Sequence, residues 1–152
     1  MAQTKIGADR VRYKAGVLHH QGLDMLKTAV PVLHVSDSRR AEEFYCKGLG
    51  FSLVSCWRPD NRAQDPCYMT LSRDAAQLHV TSFKDGVVGA WTSTVYVFVE
   101  GVDALYEELL VKGISMAGPP IDQDWGTREI GVRDPDRNVV TFGQRIANRP
   151  LN

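Results

Sequence analysis

Pro31-Val32-Leu33-His34-Val35 and, about 64 residues further on, Val95-Tyr96-Val97-Phe98-Val99 are two copies of one strand. The same shift carries the helix-like run from Ser38 onto the run from Val102, and Gln77-Leu78-His79-Val80 onto Thr141-Phe142-Gly143-Gln144. A repeated unit of this size cannot bury its apolar face alone, so two copies share one core and leave a cleft between them. The residues that line that cleft decide what the protein does.

Each copy reads as βαβββ. In the first, Val30, Val32 and His34 point one way and Pro31, Leu33 and Val35 the other. Asp37 or Ser38 caps a helix with Ala41, Phe44 and Tyr45 on its inner face, and Gly48 and Gly50 stop it. Strands are predicted over 51–57, 67–71 and 77–82, with turns at Asp60-Asn61 and Arg73-Asp74. The second copy has a strand over 92–99, a helix from Val102 with Leu105, Leu109 and Leu110 buried, and Gly113 as its stop. Pro119-Pro120 then opens an exposed loop. Strands follow over 127–132 and 138–142, joined by Asp134-Pro135-Asp136-Arg137. The predicted organisation is α+β: an N-terminal extension over 1–28, a domain over 29–145 with repeats at 29–83 and 92–145, and a tail over 146–152.

Composition limits the partners. Eighteen basic and eighteen acidic residues cancel, which removes the charge expected of a nucleic-acid binder or a basic membrane anchor. The longest apolar runs are strand-sized, well short of the roughly 20 residues that span a bilayer. Residues 1–12 lack the apolar stretch of a signal peptide, so a cytoplasmic location is expected. Cys46, Cys56 and Cys67 are odd in number and lack zinc-finger spacing, and they read as small apolar residues. His19-His20 is too short for a metal tract and reads as solvated.

Val35-Ser36-Asp37, Phe44-Tyr45, Leu49-Gly50-Phe51, Val102-Asp103-Ala104-Leu105-Tyr106, Lys112-Gly113, Trp125-Gly126-Thr127-Arg128-Glu129 and Asp134-Pro135-Asp136 follow one another in an order that resembles the vicinal oxygen chelate superfamily. That superfamily includes glyoxalase I, extradiol dioxygenases, fosfomycin-resistance enzymes and bleomycin-resistance proteins, and this chain is most similar to the bleomycin-resistance-like branch. The resemblance implies cupped sheets, paired either within one chain or between subunits to close each cleft, and a twofold homodimer. It also implies metal-ligand positions on the first and fourth strand of each unit, here Val30, Gln77, Thr94 and Thr141. Valine offers a metal nothing, and threonine and glutamine are poor neutral ligands, so no metal cofactor is expected. His34 and His79 share the cleft-facing parity, but they sit roughly 13 and 7 Å along the strands from those positions.

The cleft therefore reads as Val30, Val32, His34, Gln77, His79, Thr94, Tyr96, Phe98, Val139 and Thr141, apolar walls with a few orienting polar groups. Trp57 and Trp125 fall near strand ends, where a ring stacks on a planar ligand, whereas Trp91 reads as a packing or subunit contact. Arg128 is placed at the rim. His34, Trp57, Gln77, His79, Tyr96, Phe98, Trp125 and Arg128 are the expected ligand-binding residues of a metal-free protein that sequesters an aromatic or antibiotic small molecule. The alternatives are a metal-dependent glyoxalase-type lyase, transferase or dioxygenase using His34, Gln77 and His79, and a protein with a vestigial cleft that acts in regulation or assembly.

Overall fold

A computed structural model describes residues 27–84 and 92–147; His19-His20, Trp91, most of the N-terminal extension and part of the tail and linker lie outside them. The first unit runs β1 (Val32–His34), α1 (Ser38–Glu42), a π-helical continuation (Glu43–Gly48), β2 (Ser52–Trp57), β3 (Tyr68–Arg73) and β4 (Ala76–Thr81). The second runs β5 (Thr94–Phe98), α2 (Val102–Val111), β6 (Ile121–Asp122), β7 (Thr127–Arg133) and β8 (Val139–Arg145). Each unit forms one mixed four-stranded sheet, in the orders β1-β4-β3-β2 and β5-β8-β7-β6. The first and fourth strands pair in parallel, and the other neighbours pair antiparallel. The α+β architecture of two βαβββ units is as the sequence pattern requires.

Local chemistry explains the boundaries. Asp37 caps α1 by accepting the Arg40 N–H at 2.8 Å. α2 starts at Gly101, which has no side chain to cap it, and Gln144 of β8 takes that role by accepting the Gly101 and Val102 N–H groups at 3.0 and 2.9 Å. Gly113, at φ +72, closes α2 as its N–H bonds to the Leu110 carbonyl. Beside Pro119-Pro120, which lack N–H groups, β6 is only two residues long.

The alternation separates two faces in each sheet. Leu33, Val35, Leu78 and Val80 of the first unit join Val95, Val132, Val140 and Phe142 of the second, with Ala41, Tyr45, Leu105 and Leu109 from the helices, in one buried cluster. Their neighbours Val32, His34, Gln77, His79, Tyr96 and Phe98 lie on the opposite, open face and are half-buried or exposed. The register refines the repeat: Val32 pairs with His79, while its counterpart Tyr96 pairs with Thr141. The counterpart of Thr141 is therefore His79 and not Gln77, because the fourth strand of the second unit is shifted by two residues relative to the uniform offset.

A buried polar knot joins the units. Asp134 accepts four hydrogen bonds, from the Asp136 and Asn138 N–H groups at 2.9 and 2.7 Å, from Asn138 Nδ2 at 2.7 Å and from the Tyr45 hydroxyl of the first unit at 2.9 Å. Asn138 Nδ2 also donates to the His34 carbonyl at 2.9 Å, and Asn138 Oδ1 accepts the Ser93 N–H at 2.9 Å. Burial first, and the adjacent Asp134 second, push the Tyr45 hydroxyl well above its ordinary pKa, so it stays a donor. At another contact between the units, Arg73 of β3 donates to Glu108 of α2 at 2.7 Å, and within its own unit it donates to the Leu49 carbonyl at 2.5 Å.

Removing one donor from a buried carboxylate costs about 1–3 kcal/mol. Tyr45→Phe is expected to lower the unfolding free energy by that amount in urea denaturation with an unchanged slope, and Asn138→Ala to lower it further. A Tyr45→Phe protein as stable as the parent contradicts the role given to this knot.

Candidate functional site

The open face of the second sheet gathers its chemistry on one atom. Oε1 of Glu129, in β7, accepts from the Tyr96 hydroxyl at 2.8 Å, the Trp125 indole N–H at 2.9 Å and the Thr127 hydroxyl at 2.5 Å. Strand phase produces this arrangement: Ile130 and Val132 go into the core, so Glu129 turns to the open face, with the buried Thr127 on the same side of the strand. Gly143 of β8 lies between Tyr96 and Glu129. A Cβ built there would sit 1.8 Å from the Tyr96 hydroxyl oxygen, so glycine lets the ring cross the strand to its partner.

Burial alone would raise the Glu129 pKa, but the hydrogen bonds from Thr127, Trp125 and Tyr96 outweigh it and hold the carboxyl below its ordinary range. The group is a fixed anion, and Oε2 has no hydrogen-bond partner among the described residues. Apolar surface surrounds it: Phe98 is 61% exposed, Trp125 53% and Tyr96 42%, large values for aromatic rings that have a core within reach. Tyr96 and Phe98 are in tilted ring contact at 5.0 Å, and the Arg145 guanidinium lies 5.3 Å from the Phe98 ring centre.

The open face of the first sheet carries a second group. The Tyr68 hydroxyl and His79 Nδ1 are 2.9 Å apart, and Trp57 stacks on Phe83 with ring centres 5.5 Å apart. Trp57 stands opposite Tyr68, and His34 opposite Thr81, in one row across the strands. Gln77 meets Tyr96 and Phe98 in a groove of about 450 Å³ bounded by Thr28, Ala29 and Pro31. Of the eight expected ligand residues, His34, Trp57, Gln77 and His79 thus sit on one open face, and Tyr96, Phe98 and Trp125 make up the other with Glu129.

Arg128 is elsewhere. It shares the phase of Ile130, and its guanidinium is held by Asp103 of α2 at 2.9 Å and Asp122 of β6 at 2.7 Å. It ties α2 to the sheet on the side away from Glu129. The residue missed in the sequence was Glu129, although it stands in the same Trp-Gly-Thr-Arg-Glu stretch.

The family's metal does not fit the donor set. The first and fourth strands offer Val32 beside His79, and Tyr96 beside Thr141, at paired positions. Among the described residues no three His, Cys, Asp or Glu side chains come together as ligands.

A family described as glyoxalase superfamily protein matches residues 18–149. Bleomycin resistance proteins of Geobacillus stearothermophilus and Staphylococcus aureus are 30% identical to this chain over 135 residues, which cover 78% of it and 96% of theirs. TioX from Micromonospora sp. ML1 superimposes with a TM-score of 0.65 at 21% identity, over 79% of this chain and all of that one. A glyoxalase/bleomycin resistance protein/dioxygenase from Nocardioides gives 0.62 at 20% identity, over 84% and 89% of the two chains. Both structures are similar in fold.

Two measurements test the geometry around Glu129. Its lowered pKa means that the cluster contributes fully above the ordinary glutamate value of about 4.3 and is lost as pH falls through the lower folded value. Acid titration of tryptophan emission should show a step below about pH 4 that is absent in Glu129→Gln; an identical step in that variant contradicts the assignment. Gly143→Ala should push Tyr96 off Glu129. Because burial and Glu129 raise the Tyr96 pKa, absorbance titration of this variant should show one tyrosine moving down toward about 10, and an unchanged titration contradicts the crossing.

Proposed function

The chain belongs to the glyoxalase superfamily, and on that premise we propose that it binds a planar small molecule carrying a hydrogen-bond donor or a positive charge, and holds it without chemical change. The observation that carries this reading is the Glu129 carboxylate, one oxygen fixed by three donors and the other available, set among Trp125, Tyr96 and Phe98. Rings supply stacking area, and a prefixed anion supplies orientation without the entropy of ordering a loose side chain. The similarity to bleomycin resistance proteins makes a resistance role by sequestration the natural form of this activity. The balanced net charge removes any general attraction for a cation, so selectivity for one rests on this single carboxylate.

The ligand needs a second wall. Phe98, Ile121 and Trp125 are exposed on the second sheet, and Val32 and Trp57 on the first. A twofold homodimer in which the first sheet of one copy faces the second sheet of the other covers both surfaces and encloses two equivalent sites. Tyr68 and His79 then face the ligand from the side opposite Glu129.

Tryptophan fluorescence titration against glycopeptide antibiotics of the bleomycin class and a panel of planar cationic aromatics should give saturable quenching. Loss of a charge-assisted bond of about 1.5–3 kcal/mol corresponds to about tenfold or more in affinity, so Glu129→Gln and Trp125→Ala should each weaken binding by that factor. Light scattering should report two copies per particle. No response across the panel, or variants that bind as tightly as the parent, contradicts the proposal.

A further inference from the structure

Cys56 and Cys67 are brought together, although in sequence they read as independent apolar residues. Cys56, in β2, stands opposite Met69, and Cys67 immediately precedes β3. Met69 and Cys67 are both fully buried and two residues apart, so the three side chains share the inner face of the sheet. The two sulfurs are 2.6 Å apart as free thiols, within roughly 0.6 Å of the disulfide bond length of about 2.05 Å. The third cysteine, Cys46, lies on the π-helical stretch as a free thiol.

We propose that Cys56 and Cys67 form a reversible thiol pair that a peroxide oxidant closes into an intrachain disulfide. The sum is two thiols and one hydrogen peroxide giving one disulfide and two waters. Cys56, half-buried, is the thiol the oxidant reaches. The Cys56 thiol gives up its proton, its thiolate attacks one peroxide oxygen, the O–O bond breaks, and the other oxygen leaves as hydroxide that takes up that proton as water, so Cys56 becomes a sulfenic acid. The Cys67 sulfur then attacks the Cys56 sulfur, the S–O bond breaks, and the departing hydroxyl takes the Cys67 proton as the second water. Burial first, and Cys56 next, push the Cys67 thiol up, so the half-buried Cys56 and not Cys67 is the thiol that meets the oxidant first. The residues that follow each cysteine, Trp57 and Tyr68, stand opposite each other across β2 and β3. The bond therefore closes the intervening segment at its base, directly beside the open face.

The full-length protein, reduced and freed of reductant, is treated with hydrogen peroxide and analysed without reduction. The intact mass should fall by two hydrogens, the thiols open to alkylation under denaturing conditions should fall from three to one, and peptide mapping should find Cys56 joined to Cys67 with Cys46 alkylated. Dithiothreitol should restore all three. Cys56→Ser should lose the mass change, and Cys67→Ala, checked for folding by circular dichroism, should instead trap a Cys56 sulfenic acid that reacts with dimedone. Three alkylatable thiols after peroxide overturn the proposal, as does oxygen added to Cys56 of the parent without a cross-link, or a bond between chains.

Discussion

A single buried carboxylate, Asp134, holds the arrangement together. It lies in the turn that feeds β8, yet one of its four donors, the Tyr45 hydroxyl, comes from the helix of the other repeat. The other three donors lie in its own turn, so the Tyr45 hydroxyl is the bond that ties this carboxylate to the first unit, and losing a donor to a buried carboxylate is costly. Asn138 extends the constraint by binding the backbone at both His34 and Ser93, beside the first strand of each unit. The two sheets are thereby locked at the level where their open faces begin. The tie from Arg73 to Glu108 is half-exposed and adds less.

That lock has a functional consequence. With the apolar halves of both sheets committed to a shared core, every second residue is left on an open face with nothing from its own helices to cover it. An open face carrying only small polar residues would be inert. This one carries rings and an anion that is already desolvated on one side by Tyr96, Trp125 and Thr127. Gly143 makes the arrangement possible, since any side chain there would compete with Tyr96 for the same space.

Much of this is legible in the sequence because alternation is a local signal. The succession of elements along the chain, the two-unit architecture and the open-face parity of Val32, His34, Gln77, His79, Tyr96 and Phe98 all follow from which residues are apolar. Composition is less informative where adjacent residues compete for one face. Arg128 and Glu129 are both charged and both near Trp125, and only the phase fixed by Ile130 and Val132 sends Glu129 outward and Arg128 toward Asp103. Equating Gln77 with Thr141 assumed one offset throughout, whereas register is set by turns whose lengths differ between the copies. The partnership of Tyr45 with Asp134 and the approach of Cys56 to Cys67 are contacts between separate elements, and no periodicity encodes them.

The central claim is that the open faces hold an organic molecule through Glu129 and its rings. Native mass spectrometry of freshly isolated protein tests it most directly. The account predicts a small organic adduct that is released on denaturation and absent from Glu129→Gln. A stoichiometric divalent metal ion retained by the folded protein, with no organic adduct, would contradict it.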